Sequence, residues 1–365
     1  MPAQLERFPG TLGKVHKKQV PPDVDIFNEG SSIFDAMLSR EFLTYRAIGW
    51  DAAIGEINRV AVIDYRDGPV KKTRIVKVPR DSERDRRLGK AEVGILKMLA
   101  KTQPPPPFIV PRVERVEENP FYFVLTPVPG IVVNSSHELS ISEKRAIGSQ
   151  TAKIAMWEEN ISVNTFKERI DQTFGKRWDW HTFFSYLDLD DPDFPSLSTA
   201  ARDMRALRDR FYPANRTSDQ DTQVIHGDLR FPNITLTDEE GQRVIKGVFD
   251  WGAARLGTRA EECRSLYPLG VEAIRAANGE FVAEGRPPVD PEEVRFWHIG
   301  RYIVALVVHL YNGLPLPEEY LKIVQTVKAE FPDLDWSELP KIKVPSSYLN
   351  TGVPPFRPNL NGALD

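Results

Sequence analysis

The chain contains 365 residues, of which 41% are hydrophobic, and its formal net charge is −4. A chain of this length can bury a large core, and we expect it to form two lobes or domains. The slightly acidic charge provides no basic surface for nucleic acid. The single cysteine, Cys263, excludes both an intrachain disulfide framework and a multi-cysteine zinc site.

Apolar segments in the chain are short. The longest uncharged apolar stretch, around residues 302–308, is too short to span a bilayer. The first residues, MPAQLERFPGTLGKVHKKQV, lack the apolar core of a secretion signal. We therefore predict a cytoplasmic protein with no membrane partner and no nucleic-acid partner.

The first half of the chain has the pattern of strands. Residues 1–30 are polar and contain proline, so we predict an N-terminal arm there. Residues 47–80 alternate between β-prone runs and turn residues, which predicts strands separated by a glycine-bearing loop and by a tight turn. The loop contains Gly49 and Gly55, whose functional role would be to let backbone amides approach phosphate oxygens. The same two glycines could instead merely shape a strand turn.

Lys77 and Glu92 are the charged residues of this half that we assign to the site. Lys77 lies in the β-prone run 74–79, and Glu92 lies in a following helix that the prolines at 104–107 end. The apolar residues of that helix share one face: Leu88, Ala91, Ile95 and Leu99. In protein kinases a strand lysine reaches the nucleotide phosphates and a helix glutamate fixes its position. Each residue alone could be a solvated charge, but their order ahead of the motifs below favours the paired role.

A hinge follows two further predicted strands. The strands are expected at residues 108–113 and 121–125, and the proline- and glycine-containing segment 126–130 then breaks the pattern. Backbone groups at Thr126 and Val128 are expected to contact the nucleotide base. Because side-chain identities do not reveal those contacts, the choice between ATP and GTP stays open.

The hinge divides the predicted protein into two lobes. Residues 31–128 form a β-rich nucleotide-binding N-lobe, and residues 129–337 form a mainly helical C-lobe that binds the substrate. Residues 338–365 are rich in Pro, Asn, Gly and Ser, which predicts an extended tail.

One acidic hairpin interrupts the helical half. A polar turn separates the β-prone runs 234–236 and 243–249, which predicts two antiparallel strands. Because an antiparallel pair returns the chain to its starting point, Asn233 should lie close to Asp250. Together with Asp228 in the preceding loop, three oxygen-bearing side chains would converge at one end of the hairpin.

These three side chains have the composition of a magnesium site. Two carboxylates and an amide oxygen suit Mg²⁺, which usually completes its shell with water and substrate phosphates. In protein kinases a catalytic Asp precedes a metal-binding Asn by four intervening residues, and a later Asp-Phe-Gly supplies a second metal ligand. Here Asp228 and Asn233 have that spacing, and Asp250-Trp251-Gly252 follows. A polar turn with a chance aspartate would explain any one element, but their combination favours phosphoryl transfer.

Short stretches across residues 40–330 match one known family. They are Gly49-Trp50-Asp51, Lys77-Val78-Pro79-Arg80, Glu92, Val128-Pro129-Gly130, His226-Gly227-Asp228 with Asn233, and Gly247-Val248-Phe249-Asp250-Trp251 followed by Ala254-Arg255-Leu256-Gly257. On these residues the chain resembles the aminoglycoside phosphotransferase and choline-kinase-like family, and several stretches are similar to macrolide phosphotransferases. The resemblance implies an α+β, two-lobed protein-kinase-like fold.

The resemblance also implies an activity and roles for residues. The enzyme would transfer the γ-phosphate of ATP or GTP, with Mg²⁺, to a hydroxyl group of a small-molecule antibiotic or metabolite. Asp228 would be the catalytic base, Asn233 and Asp250 the metal ligands, and Lys77 and Glu92 the phosphate-positioning pair. We expect His226 to be structural, because it would pack under the loop and hydrogen-bond backbone groups.

Two positions depart from the family pattern. Gly252 follows Asp-Trp where an acidic or small polar residue is frequent, and Gly257-Thr258-Arg259 replaces the usual Gly-Asp-Pro. No role is therefore assigned to Thr258 or Arg259. These departures leave open the alternative of a nucleotide-binding pseudokinase that acts as a regulatory module.

The acceptor is not identified by the sequence. A protein acceptor is not expected, because no Ala-Pro-Glu triplet closes an activation segment. The acidic run at residues 188–193 could attract a polycation, although such a run is usually a solvated loop. The aromatic run at 177–187 could line an apolar pocket. Its large residues recur at helical spacing, which favours a core-facing helix instead: Trp180, Phe183, Phe184 and Leu187.

Overall fold

A computed structural model describes most of the chain between residues 42 and 339. The described residues are 42–48, 58–67, 70–79, 83–119, 121–132, 139–174, 184–213, 222–239, 241–311, 318–337 and 339. The predicted arm at 1–30, the loop glycines Gly49 and Gly55, and residues 340–365 of the predicted tail lie outside them.

The first part of the structure is an antiparallel sheet of five strands. The strands are β1 (Phe42–Ile48), β2 (Asn58–Asp67), β3 (Val70–Pro79), β4 (Val113–Glu118) and β5 (Phe121–Leu125). They lie in the order β1-β2-β3-β5-β4. The register pairs Lys77 of β3 with Val60 of β2 and with Phe123 of β5. Lys77 therefore lies on the central strand of the sheet.

The strand expected at residues 108–113 is not formed, and the strand at this point, β4, begins at Val113. The physical reason is the proline content, since Pro111 lacks a donor for a ladder hydrogen bond. The apolar residue Ile109 instead makes an isolated bridge to Gly247. Its N–H donates to the Lys246 carbonyl at 2.9 Å. The segment thus attaches the sheet region to the acidic hairpin.

Helix α1 (Glu83–Leu99) lies against this sheet. Its predicted apolar face is confirmed, because Ala91, Ile95 and Leu99 are buried. Glu92 lies on the same helix and is also buried, with 1% of its surface exposed. A glutamate at such depth is not a solvated surface charge, so the paired interpretation gains support.

The helices of the remainder form the larger part of the core. They are α2 (Ile141–Glu158), α3 (Val163–Phe174), α4 (Pro195–Phe211), α5 (Arg259–Glu262), α6 (Val271–Ala283), α7 (Pro291–Tyr311) and α8 (Glu318–Glu330). Phe184 and Leu187 of the aromatic run are fully buried, and the Phe184 ring lies 4.5 Å from that of Phe296 on α7. This confirms a core position for these two residues, while Trp180 and Phe183 lie outside the described residues.

The predicted hairpin is present. Strands β7 (Ile234–Glu239) and β8 (Gln242–Val248) pair antiparallel, with Ile234 opposite Val248. The short strand β6 (Gln223–Ile225) does not join them and pairs with β9 (Arg255–Gly257). Helices and antiparallel strands are both present, which agrees with the predicted α+β class. In the parts of the chain that the structure describes, no helix has the length and apolar character needed to cross a membrane.

Candidate active site

Asp250 occupies an unusual backbone position at the end of β8. Its φ of 64° and ψ of 57° lie in the left-handed region, where aspartate is tolerated better than most residues. The preceding residue, Phe249, donates its N–H to the Asn233 carbonyl at 3.0 Å. The end of β8 is therefore joined to the start of β7, and the Asp250 side chain reaches Lys77 of β3.

Lys77 connects three parts of the structure. Its Nζ atom lies 2.7 Å from Glu92 Oε1 and 2.8 Å from Asp250 Oδ1. Only 8% of the Lys77 side chain is exposed, whereas about half of the Asp250 side chain is exposed. The lysine thus ties β3 and α1 of the sheet region to the hairpin through one buried ammonium group.

The charges of this cluster stabilise one another. Burial alone would lower the pKa of Lys77, but attraction to Asp250 and Glu92 outweighs it and raises the pKa. The ammonium group of Lys77 holds the pKa of Asp250 below its usual range. Burial raises the pKa of Glu92, and the same ammonium group opposes that shift. Lys77 is therefore fully charged at neutral pH and faces an ionised Asp250.

Asp228 and Asn233 are in direct contact. The Asn233 Nδ2 group donates to Asp228 Oδ2 and to the Asp228 carbonyl, each at 2.8 Å. Two arginines approach the same carboxylate: Arg230 Nε lies 3.0 Å from Oδ2, and Arg264 Nη2 lies 3.6 Å from Oδ1. The Asp228 carboxylate is accordingly fixed in place and surrounded by positive charge.

His226 joins the loop to the end of the hairpin. Its Nδ1 atom accepts the N–H of Asp228 at 3.2 Å, which places the ring proton on Nε2, 3.0 Å from the Phe249 carbonyl. The ring packs against Trp251 at 4.6 Å. Burial lowers the pKa of His226 to about 4, so the imidazole is neutral at pH 7. The predicted structural position of His226 is confirmed.

The residues at this end of the hairpin fit a hard divalent cation. Asn233 donates to Asp228 through Nδ2, and its oxygen Oδ1 has no hydrogen-bond partner among the described residues. Asp250 Oδ2 likewise has no partner there, since Lys77 contacts Oδ1. An amide oxygen and a carboxylate oxygen are ligands that Mg²⁺ accepts, with water and phosphates completing the shell. No group of three or more His, Cys, Asp or Glu that could hold a metal occurs in the described part of the chain.

The loop before Asp228 depends on residues that the sequence did not reveal. Glu158 accepts the N–H of His226 at 3.0 Å, and Glu262 accepts the N–H of Gly227 at 3.1 Å. Arg255 and Arg264 both donate to the Gly227 carbonyl. These residues come from α2, α5 and their neighbours, and they act through backbone groups. A sequence motif could not show them, because backbone partners leave no residue type to recognise.

Gly227 is required by geometry. Its φ is +74°, and an added Cβ would lie 2.2 Å from Arg255 Nη1 and 2.4 Å from the Ala253 carbonyl. Gly252 is different, because a Cβ there would approach only Glu92, at 3.7 Å and beyond. With glycine at this position, the contacts of Lys77 with Glu92 and Asp250 are both formed.

The second departure has a structural explanation. Thr258 caps helix α5, with its Oγ1 accepting the Glu261 N–H at 3.1 Å. Arg259 forms an ion pair with Glu159. Both side chains stabilise the start of α5, and neither contacts Asp228 or Asp250.

The predicted hinge contacts are only partly available. Thr126 donates its N–H to the Arg112 carbonyl at 3.0 Å, and its hydroxyl accepts the Arg112 N–H at 2.8 Å. Val128 is buried beside Gly247. Its backbone N–H forms no hydrogen bond to the described residues, so Val128 retains a donor that Thr126 has lost.

The acidic run is already neutralised in part. Asp188 lies 3.0 Å from Arg208 and 3.9 Å from Arg205, and Asp190 lies 3.5 Å from Arg202. All three arginines belong to α4. This supports the interpretation of the run as a surface segment.

Comparisons with solved structures agree on the fold. The GDP and kanamycin complex of APH(2")-IIia has a TM-score of 0.62 at 15% identity, covering 84% of this chain and 100% of that chain. The apoenzyme of macrolide 2'-phosphotransferase MphH from Brachybacterium faecium has a TM-score of 0.54 at 15% identity, covering 84% and 99%. The streptomycin–ATP–APH(2")-IIa ternary complex has a TM-score of 0.53 at 13% identity, covering 83% and 97%.

Sequence comparisons give the family. A search of curated proteins found no significant match. The family model described as APH, phosphotransferase enzyme family, matches residues 52–297, which is more than half of the chain. This range includes the Lys77 cluster and the loop of Asp228. The chain belongs to the APH phosphotransferase enzyme family.

Proposed function

We propose that this protein is a small-molecule kinase that transfers the γ-phosphate of ATP or GTP to a hydroxyl group of an antibiotic or metabolite. The observation that carries the proposal is the Lys77 ammonium group, held between Glu92 and Asp250, which are distant in sequence. In protein kinases, phosphoryl transfer needs a strand lysine paired with a helix glutamate and a metal-binding aspartate, and Lys77, Glu92 and the half-exposed Asp250 match these three parts.

The proposal includes a two-lobed, protein-kinase-like arrangement. Residues 31–128 would form the nucleotide-binding N-lobe and residues 129–337 the C-lobe, with residues 126–130 as the hinge. Two features support this division: the sheet ends with β5 at Leu125, and Ile131 then bridges to Leu236 of the hairpin. The nucleotide would lie between the sheet and the hairpin, where Lys77 and Asp250 meet.

The side chains of the site would divide the chemistry among them. Lys77, positioned by Glu92, would hold the nucleotide phosphates. Asp228 would accept the proton of the acceptor hydroxyl. The hydroxyl oxygen would then bond to the γ-phosphorus, while the bond between that phosphorus and the oxygen bridging to the β-phosphate breaks. Asn233 orients that carboxylate through its amide group. The protein thereby supplies position and charge, which is most of what a loose transition state needs.

Asn233 and Asp250 would hold Mg²⁺, which would neutralise charge on the nucleotide phosphates when bound. Two of the solved relatives are complexes, one with GDP and kanamycin and the other with streptomycin and ATP. They support a nucleoside triphosphate as donor here. The identity of the acceptor is not transferred from those proteins, because Arg230 and Arg264 lie beside the Asp228 carboxylate and place positive charge at this site.

The alternative is a nucleotide-binding pseudokinase. This alternative is based on the departures from the family pattern at Gly252 and at Thr258-Arg259. Because Gly252 leaves the Lys77 cluster intact and Thr258 caps a helix, neither departure removes a group that transfer needs. The catalytic proposal is therefore favoured.

The test is a transfer assay combined with a binding assay. The purified protein is incubated with Mg²⁺, ATP or GTP, and a panel of aminoglycosides, macrolides and amino alcohols, and the mass of each acceptor is measured. We expect one acceptor class to gain one phosphoryl group, and the melting temperature to rise with Mg²⁺-nucleotide. Tight nucleotide binding without transfer to any acceptor would favour the pseudokinase, and no nucleotide binding at all would contradict both.

A further inference from the structure

Two glutamates hold the His226-Gly227-Asp228 segment from beneath. Glu158 is the last residue of α2, and its Oε1 accepts the His226 N–H at 3.0 Å. Glu262 is the last residue of α5, and its Oε2 accepts the Gly227 N–H at 3.1 Å. Both glutamates have 0% of their surface exposed. The two N–H groups belong to consecutive residues, so both carboxyl groups approach the same short segment of the loop, and Glu262 acts on Glu158 electrostatically.

Each carboxyl group has a second oxygen that is left over. Glu158 Oε2 and Glu262 Oε1 are buried and have no hydrogen-bond partner among the described residues. A buried polar atom without a partner destabilises the folded state, and does so more when it is charged. Two adjacent carboxylates cannot both keep a full charge in such a site. A single proton between the two groups would satisfy both oxygens at once.

The charged groups around the pair are engaged elsewhere. Arg264 donates to the carbonyls of Gly227 and Glu261. Arg255 donates to the Gly227 carbonyl and forms an ion pair with Glu261. Both arginines lower the pKa of Glu262 through space, but burial, the larger effect, raises it.

Two further titratable groups near the pair are uncharged at neutral pH. Burial keeps the His226 ring neutral by lowering its pKa to about 4, and burial raises the pKa of the Cys263 thiol. Neither group can compensate a second carboxylate. Burial and repulsion from Glu262 together raise the pKa of Glu158.

We propose that Glu158 and Glu262 share one proton, and that the protonated pair is a positioning element for the catalytic loop. One carboxyl group donates to the other, and each uses its remaining oxygen to hold one N–H group of the loop. Asp228 is thereby fixed at the distance from Asn233 that the site needs. The positioning role rests on the proposed function, whereas the shared proton does not.

The shared proton gives the pair a characteristic pH dependence. The folded protein holds a proton that an unfolded glutamate releases above its pKa of about 4.3. Between that pH and the higher pKa of the folded pair, the folded state binds more protons than the unfolded state. The pair's contribution to the unfolding free energy therefore falls as the pH rises through this window.

The test measures the unfolding free energy against pH for the wild type and for Glu158→Gln, Glu262→Gln and the double variant. A glutamine supplies an amide that imitates the protonated carboxyl group permanently. We expect either single replacement to remove the pair's part of the pH slope, so each variant becomes more stable relative to the wild type as the pH rises. The second replacement should remove no further slope, because the two residues act as one unit.

Glu159→Gln is the matched control. Glu159 is the neighbour of Glu158 but forms ion pairs with Arg259 and Arg286 instead. This variant should keep the wild-type decline attributed to the pair. Equal slopes in the wild type and in all four variants would overturn the proposal.

A second measurement does not need any variant to fold. The infrared difference spectrum of the wild type across the same pH range should contain the band of a protonated carboxyl group well above pH 5, and its absence would contradict the shared proton.

The positioning role is tested by amide hydrogen exchange at His226 and Gly227. The exchange should be faster in Glu158→Leu than in Glu158→Gln at the same pH, and equal rates would contradict the positioning role. All of these measurements use nucleotide-free protein, so their failure leaves the kinase proposal standing.

Discussion

Glu92 and Glu158 are both buried glutamates on long helices, but their surroundings differ. Glu92 meets the ammonium group of Lys77 at 2.7 Å, and Lys77 continues to Asp250. Glu158 meets a backbone N–H and lies beside a second carboxyl group, Glu262. The first region compensates buried charge with a cation, and we infer that the second compensates it with a proton. The difference shows that burial alone does not determine the charge of a carboxyl group.

The largest effect is expected from Lys77→Met, which removes the cation from the first region. Breaking a buried ion pair leaves an uncompensated charge and costs about 3–5 kcal/mol. Chemical denaturation of wild type and variant measures this loss. Replacing Glu92 by Gln in the same chain should restore part of it, because the two residues act as a pair. Additive losses would show that Lys77 and Glu92 do not act together.

Lys90→Met is the control for that prediction. Lys90 lies on the same helix as Glu92 and forms an exposed ion pair with Glu118 at 2.8 Å. Exposed pairs contribute about 0–1 kcal/mol. A loss in Lys90→Met as large as that in Lys77→Met would remove the distinction between buried and surface lysines on which the comparison depends.

A smaller effect is expected from His226, which belongs to the second region. Its pKa in the folded protein is about 4, below the value of about 6.5 for an unfolded histidine. The unfolded state therefore binds more protons at this residue between these values, and the contribution of His226 to the unfolding free energy falls as the pH is lowered through them. The full effect is about 3 kcal/mol. A ring titration of His226 near pH 6.5 by NMR would contradict this.

The smallest effect is expected from Gly252→Ala. A Cβ at this position would meet Glu92 only at ordinary contact distance. We expect a change in unfolding free energy within about 0.5 kcal/mol and no change in nucleotide affinity. A marked loss of nucleotide affinity would show that Gly252 contributes to the Lys77 cluster in a way that the geometry does not explain.

The sequence predicted the parts of the site that depend on side-chain type and spacing. Asp228 and Asn233 are close in the chain, and the hairpin returns Asp250 to them, so their proximity follows from local structure. The contact of Lys77 with Asp250 required the three-dimensional fold. Glu158 and Glu262 could not be predicted, because they hold backbone groups of a distant loop.

The failed strand prediction has a similar explanation. Residues 108–113 have an apolar strand composition, but Pro111 interrupts the donors and Ile109 pairs with the hairpin instead. The tertiary contact of Ile109 with the hairpin therefore overrides the local strand propensity of this segment. A tertiary contact also changes the predicted hinge, because the N–H of Thr126 donates to the Arg112 carbonyl and is not available to a nucleotide base.

The central claim is that Asp228 acts on the acceptor while Asn233 and Asp250 act on the metal and nucleotide. The most direct measurement compares Asp228→Asn with the wild type in two assays, Mg²⁺-nucleotide affinity and phosphoryl transfer to the acceptor that the panel identifies. We predict nearly equal affinity and a loss in turnover of about 10²–10⁴-fold, which is typical for a missing general base. Equal turnover by the two proteins would contradict the claim.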